Sequence, residues 1–225
     1  MFPSTINPVN PLPLRRSSVS SMQSVLLENY SIRPGKIVCI GRNYVKHITE
    51  LGNEIPDEMV LFAKPNAAIG SCLATHHGDE PLHYEGELCF LIGGGDFKAV
   101  GFGLDLTKRG LQTRLKEKGL PWERAKAFDG AALFSPFAPF DGDLTELRFE
   151  LHIDGQCRQR GTYAQMIHKP DQILAEVRTF MSLNDNDILM TGTPHGVGTV
   201  EPGRAFRGVV FAGDLPMTEG YWTAA

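Results

Sequence analysis

The chain of 225 residues has no apolar stretch long enough to cross a bilayer as a helix, which takes about 20 consecutive residues, and it has no internal repeat. There is no basic excess. The 22 Lys and Arg are outnumbered by 26 Asp and Glu, for a net charge of -4 and a pI near 6.0. Nucleic acids and anionic membranes attract clustered cations, so both are disfavoured as partners. Cysteine is scarce. Cys39, Cys72, Cys89 and Cys157 show no CxxC spacing and none stands at ligand spacing from a histidine, so free thiols in a reducing cytosol fit better than a zinc site. No GxGxxG or GxxxxGKS spacing follows Gly93-Gly94-Gly95, which reads as a hairpin turn rather than a phosphate loop.

Acidic residues are missing before Glu28, where a Ser- and Pro-rich segment carries Arg15 and Arg16. It has some transit-peptide character but no apolar signal-peptide core, and Met22 is an alternative start. Residues 1–30 are therefore read as a flexible N-terminal extension, and residues 31–225 as one catalytic domain. Cytoplasmic residence is the default expectation. A 42% hydrophobic content at this length is enough for a single buried core.

Short apolar, β-branched runs predict strands at Lys36–Ile40, Met59–Ala63, Leu88–Ile92, Val100–Leu106, Arg148–Ile153 and Ile188–Met190. Helical patterns cover Val45–Leu51, Thr107–Glu117 and Asp171–Phe180. No regular βα alternation appears. The predicted class is mixed and mainly β with a few short helices (α+β).

Residues alternate between the faces of a strand, so Glu85 and Glu87 point the same way with Gly86 between them. A solvated strand end is one reading. A hard divalent cation taking both carboxylates is the other, with Asp105 as a third oxygen donor. His47 and Glu50, at i and i+3, similarly form either an exposed pair or a carboxylate-oriented base. The remaining histidines read as structural, with His195 a candidate pocket-lining residue.

The ordered motifs GRNYVKHITELGN, LFAKP, HYEGEL, GFGLDLTKRGLQ, AKAFD and TGTPHGVG together resemble the fumarylacetoacetate hydrolase family, especially its short single-domain members. The resemblance spans about Lys36 to Gly213 and implies the family's β-roll. It also implies that Glu85, Glu87 and Asp105 bind Mg²⁺, with Mn²⁺ or Ca²⁺ as alternatives, and that Lys126 is an active-site lysine. Arg42, Arg109, Gln112 and Thr193 are expected to contact substrate, and His47 and Glu50 to form a catalytic lid dyad. Asp105, Arg109 and Gln112 are expected on one helical face. Leu104 replaces the family's usual Asn, and the C-terminal LPMTEGYWTAA replaces an expected further strand.

The implied activity is hydrolytic cleavage of a C–C bond in acylpyruvates or related β-diketo acids through a metal-stabilised enolate. Alternatives are oxaloacetate decarboxylation, isomerisation or decarboxylation of ring-cleavage products in aromatic compound catabolism, and non-catalytic, metal-dependent binding of a 2-oxo acid. The implied partner is a small 2-oxo acid, and the implied assembly a homodimer or higher homo-oligomer.

Overall fold

The computed structural model describes residues 22–45 and 57–225. The expected helix over Val45–Leu51 therefore lies almost wholly outside the described residues.

Two sheets carry the fold. The seven-stranded sheet runs in the order Ala132–Phe134, Asp96–Asp105, Gly86–Gly93, Ile188–Met190, Lys36–Gly41, Val60–Pro65, and Ala138–Pro139 adds a further pairing to Asp96–Asp105. Its neighbours are antiparallel except Ile188–Met190 beside Lys36–Gly41. The apolar KIVCI and LCFLI runs lie in its middle, where both faces are covered and continuous hydrophobicity replaces alternation. Gly94 and Gly95 turn the chain between Gly86–Gly93 and Asp96–Asp105, with φ of 61° and 83°. Two consecutive positive φ values are what a tight hairpin between twisted strands requires, so the triplet is the turn its composition predicted.

The second sheet has four antiparallel strands in the order Gln156–Thr162, Leu147–Ile153, Ala205–Ala212, Leu215–Thr223. Leu147, Phe149, Leu151 and Ile153 face inward while Arg148, Glu150 and His152 face out, the alternation of a half-buried strand. The sheets meet through aromatic packing: Phe102 of the large sheet lies 5.7 Å from Phe149 and 6.0 Å from Trp222 of the small one. Gly208 makes room for this, since a Cβ there would fall 2.0 Å from Phe102.

Three helices, Arg109–Glu117, Glu123–Lys126 and Pro170–Phe180, complete the described architecture. Pro170 sits in the first helical turn, where its missing N–H costs no bond. The class is mainly β with short helices, as the sequence predicts. None of the helices among the described residues is long and apolar enough to cross a membrane.

Two boundaries differ from the sequence reading. Val25–Leu27 and Tyr30–Ile32 form a hairpin whose Leu26 carbonyl accepts from Phe137 N at 2.7 Å, so a domain start at residue 31 falls inside an element already attached to the body. Only three residues of each strand are involved, too few for a periodic signal. The C-terminal segment does form a strand: Leu215–Thr223 pairs along Ala205–Ala212, and Pro216 and Gly220 interrupt the alternation that would mark it in the sequence.

Gly208→Ala should destabilise the protein by about 1–3 kcal/mol, the usual cost of overpacking a filled core. Chemical denaturation of the variant beside the parent measures it.

Candidate metal centre and active site

Glu85 immediately precedes the Gly86–Gly93 strand and Glu87 is its second residue, while Asp105 ends the neighbouring strand. Register places them together: Glu87 pairs with Gly103, Gly86 with Leu104, and Asp105 N donates to the Glu85 carbonyl at 2.8 Å. One oxygen from each carboxylate lies within 4.8 Å of the others. All three residues are buried. Burial, followed by the charges of Asp105 and Glu85, pushes the Glu87 carboxyl well above the ordinary glutamate range. Like charges do not collect in a protein interior without compensation, and the solvated-strand reading is excluded.

Part of the compensation is built from lysines. Lys126 Nζ donates to Glu85 Oε2 at 2.8 Å, Asp105 Oδ2 at 2.7 Å and Thr107 Oγ1 at 2.7 Å, using all three of its protons. Burial alone would lower its pKa, but Asp105 and Glu85 more than offset this and hold it above the usual lysine value. Lys64, with no exposed surface, pairs with Asp105 Oδ1 at 2.7 Å and donates to the carbonyls of Lys126 and Ala131. Arg109 pairs with Glu85 Oε1 and donates to Gln112 Oε1 at 2.7 Å.

The motif residues thus converge, but by a different route from the one expected. Asp105 does not share a helical face with Arg109 and Gln112. It ends a strand, and the helix begins only at Arg109, so the strand's end rather than helical periodicity sets Asp105 beside the helix.

Two loops close the pocket. Arg42 holds φ at 57°, a left-handed conformation costly for a side chain larger than Gly. Its neighbour Asn43 fixes that turn, donating to the Thr191 and His168 carbonyls at 2.9 and 3.0 Å and accepting from His168 N at 2.8 Å. Gly192, with φ of 87°, donates its N–H to Glu87 Oε2 at 2.7 Å. A Cβ on it would fall 2.9 Å from Asn43 Cβ. Thr193 Oγ1 donates to the Gly86 carbonyl at 2.9 Å and accepts from Gln159 Nε2 at 2.8 Å, while Gln159 Oε1 accepts from Gly86 N at 2.9 Å. Arg42, Thr193, Arg109, Gln112 and Lys126 line one pocket with the three carboxylates. His47 and Glu50 lie outside the described residues.

An all-oxygen donor set of three carboxylates suits a hard divalent cation, and the residues present fit one. Residues 36–216 match the model of the fumarylacetoacetate (FAA) hydrolase C-terminal family. The chain belongs to this family. Within it, the oxaloacetate tautomerase YcgM of Escherichia coli is 40% identical over 185 residues, covering 75% of this chain and 84% of the relative. The mitochondrial oxaloacetate decarboxylase of Dictyostelium discoideum is 36% identical over 192 residues, covering 76% and 87%. The crystal structure of fumarylpyruvate hydrolase from Pseudomonas aeruginosa in complex with Mn²⁺ and pyruvate superposes with a TM-score of 0.83 at 29% identity, covering 94% of this chain and 99% of that one. The fumarylacetoacetate hydrolase β-roll is therefore this chain's fold, and these relatives are enzymes.

Three residues of the site escaped the reading of the family motifs. Lys64 stands in LFAKP, where a lysine near the end of an apolar strand must find a carboxylate if buried. Asn43 lies inside GRNY, and its partners His168 and Thr191 are 125 and 148 residues away. Gln159 had no local signal at all, because it reaches the site from the second sheet.

Glu87→Gln should keep an acceptor for Gly192 N while removing one charge. Metal-free protein holds the Glu87 proton more tightly when folded than when unfolded, so this group's contribution to stability falls as pH rises above the ordinary glutamate pKa through the raised folded value. The variant should therefore be more stable than the parent at pH 8 without divalent cations, by about 1 kcal/mol or more. It should also bind Mn²⁺ at least about tenfold more weakly. Denaturation with a chelator present, and calorimetric Mn²⁺ titration, read the two effects.

Proposed function

We propose that the chain is a divalent-cation-dependent enzyme that enolises 2-oxo acids, with keto–enol interconversion or decarboxylation of oxaloacetate as the best-supported chemistry. The carrying observation is the buried Glu85, Glu87 and Asp105 cluster with Lys126 and Arg109 converging on it. The oxaloacetate tautomerase and decarboxylase names of the relatives above support the choice of substrate.

The three carboxylates would hold Mg²⁺, or Mn²⁺ in its place, which supplies a Lewis acid for the 2-oxo group. Arg109 and Gln112, already joined at 2.7 Å, form a donor pair for the 1-carboxylate. Arg42 and Thr193 close the pocket around the substrate. Lys126 stays an ammonium at neutral pH because its pKa is held high, so its role is to stabilise negative charge on the 2-oxo oxygen rather than to remove a proton. In tautomerisation a proton leaves C3, its electron pair moves into the C2–C3 bond, and the 2-oxo oxygen takes up a proton to give the enol. In decarboxylation the C3–C4 bond breaks instead, and CO₂ leaves the same electron pair behind.

Acylpyruvate hydrolysis is the second reading, favoured by the likeness to a fumarylpyruvate hydrolase holding Mn²⁺ and pyruvate. It requires a water activated for attack on the distal carbonyl, the role proposed for His47 and Glu50.

Mg²⁺-loaded protein should speed keto–enol equilibration of oxaloacetate, followed by enol absorbance with CO₂ release measured in parallel, and Glu85→Ala should abolish the effect. Acetylpyruvate cleavage tests the second reading, and His47→Ala should lower it by about a hundredfold or more. If metal-loaded protein turns over neither acid, the proposed function fails.

A further inference from the structure

Lys116 is a pocket residue to which the chemistry above gives no task. It stands on the Arg109–Glu117 helix seven residues beyond Arg109 and four beyond Gln112, so the three share a face. All three line the pocket. Its ammonium lies 5.0 Å from the centre of the Trp122 ring. Trp122 lies 6.0 Å from Phe62, and Phe62 lies 5.4 Å from the Lys126 ammonium. An aromatic wall therefore connects the cation among the carboxylates with a second cation farther out.

The two ends differ in their partners. Lys126 is saturated by Glu85, Asp105 and Thr107, and Arg114 on the same helix is paired with Glu80. Among the described residues no carboxylate pairs with Lys116. It also feels repulsion from Arg42, Arg109 and Lys126: burial first, then these charges, lower its pKa to about 8 against a smaller opposing pull from Glu85. A half-buried ammonium on which like charges outweigh the one opposing carboxylate gains from binding an anion, which would raise its pKa again. The pocket lining carries Arg42, Arg109, Lys116 and Lys126 against Glu85, Glu87 and Asp105, and Lys64 stands behind Asp105. With a divalent cation added, the balance favours a ligand with more than one negative charge.

We propose that Lys116 determines substrate choice: its ammonium, seated on Trp122, takes the distal carboxylate of a 2-oxo diacid whose 1-carboxylate and 2-oxo group face the Glu85, Glu87 and Asp105 cluster. Arg42 lines the same pocket and adds to the field there. The inference rests on the oxaloacetate reading above, and it adds the residue that would hold that substrate's second carboxylate and so set the preference for diacids over 2-oxo monoacids.

The test compares oxaloacetate with its 4-ethyl ester, which keeps the 2-oxo acid head but lacks the distal charge, using full-length Mg²⁺-loaded protein. Exchange of the C3 protons for deuterium, followed by NMR, reads enolisation of both compounds. The parent should prefer the diacid. In Lys116→Met the ratio of kcat/KM for diacid over ester should fall about tenfold, the worth of one hydrogen bond to a charged group, with the loss in the KM of the diacid. Lys116→Arg should retain the preference. An unchanged ratio in Lys116→Met, or an equal loss for both compounds, would overturn the assignment. Exchange with neither compound in the parent would instead overturn the enolisation reading itself, and this inference with it.

Discussion

The mutual repulsion of three buried carboxylates is the constraint around which the rest of the site is arranged. Glu85, Glu87 and Asp105 reach one point because two adjacent strands end there in register. A protein interior cannot hold three such charges unaided. Lys64 and Lys126 answer Asp105, Lys126 and Arg109 answer Glu85, and the Gly192 N–H answers Glu87. Each partner comes from a different part of the chain. The electrostatic requirement is thus also what pins the strand Val60–Pro65, the helix Arg109–Glu117, the short helix Glu123–Lys126 and the Gly192 loop around a common centre.

Glu87 is the least compensated of the three. Its carboxyl is held by a backbone amide, while Asp105 and Glu85 press on it from either side. Metal-free protein therefore stores unfavourable energy at this residue, which a divalent cation bound there would relieve. Under the proposed metal binding, folding and cation binding would be linked through one side chain, since what destabilises the empty site would strengthen the filled one.

Much of this was legible in the sequence, and the parts that were not share a cause. Glu-x-Glu on a strand, the apolar runs KIVCI and LCFLI, and the Gly-Gly turn announce themselves through period-two geometry or through residues with singular backbone freedom. Asp105 was legible as an acid closing an apolar run, yet its relation to Arg109 was read as helical because periodicity cannot mark where a strand hands over to a helix. Lys64, Asn43 and Gln159 act across long sequence separations, on carbonyls and carboxylates that only the folded chain brings near. Cys157 and His152 correct the sequence reading in the other direction: only five residues apart, they are laid opposite each other by a hairpin and, with Glu150, form a three-residue cluster on the outer face.

Gln159 carries one more consequence. Its side chain ties the four-stranded sheet to the active-site machinery, satisfying Gly86 on one strand and Thr193 on the loop opposite. The smaller sheet is therefore more than a lid on the hydrophobic core. It acts as a gauge that sets the spacing between the carboxylate-bearing strand and the Thr193 loop. The two sheets could diverge in outward surface with little effect on chemistry, but they cannot slide past each other. Slow drift in sequence would be freest on the outer face of the small sheet and most restricted where Gln159 and the Phe102, Phe149 and Trp222 rings join the two sheets.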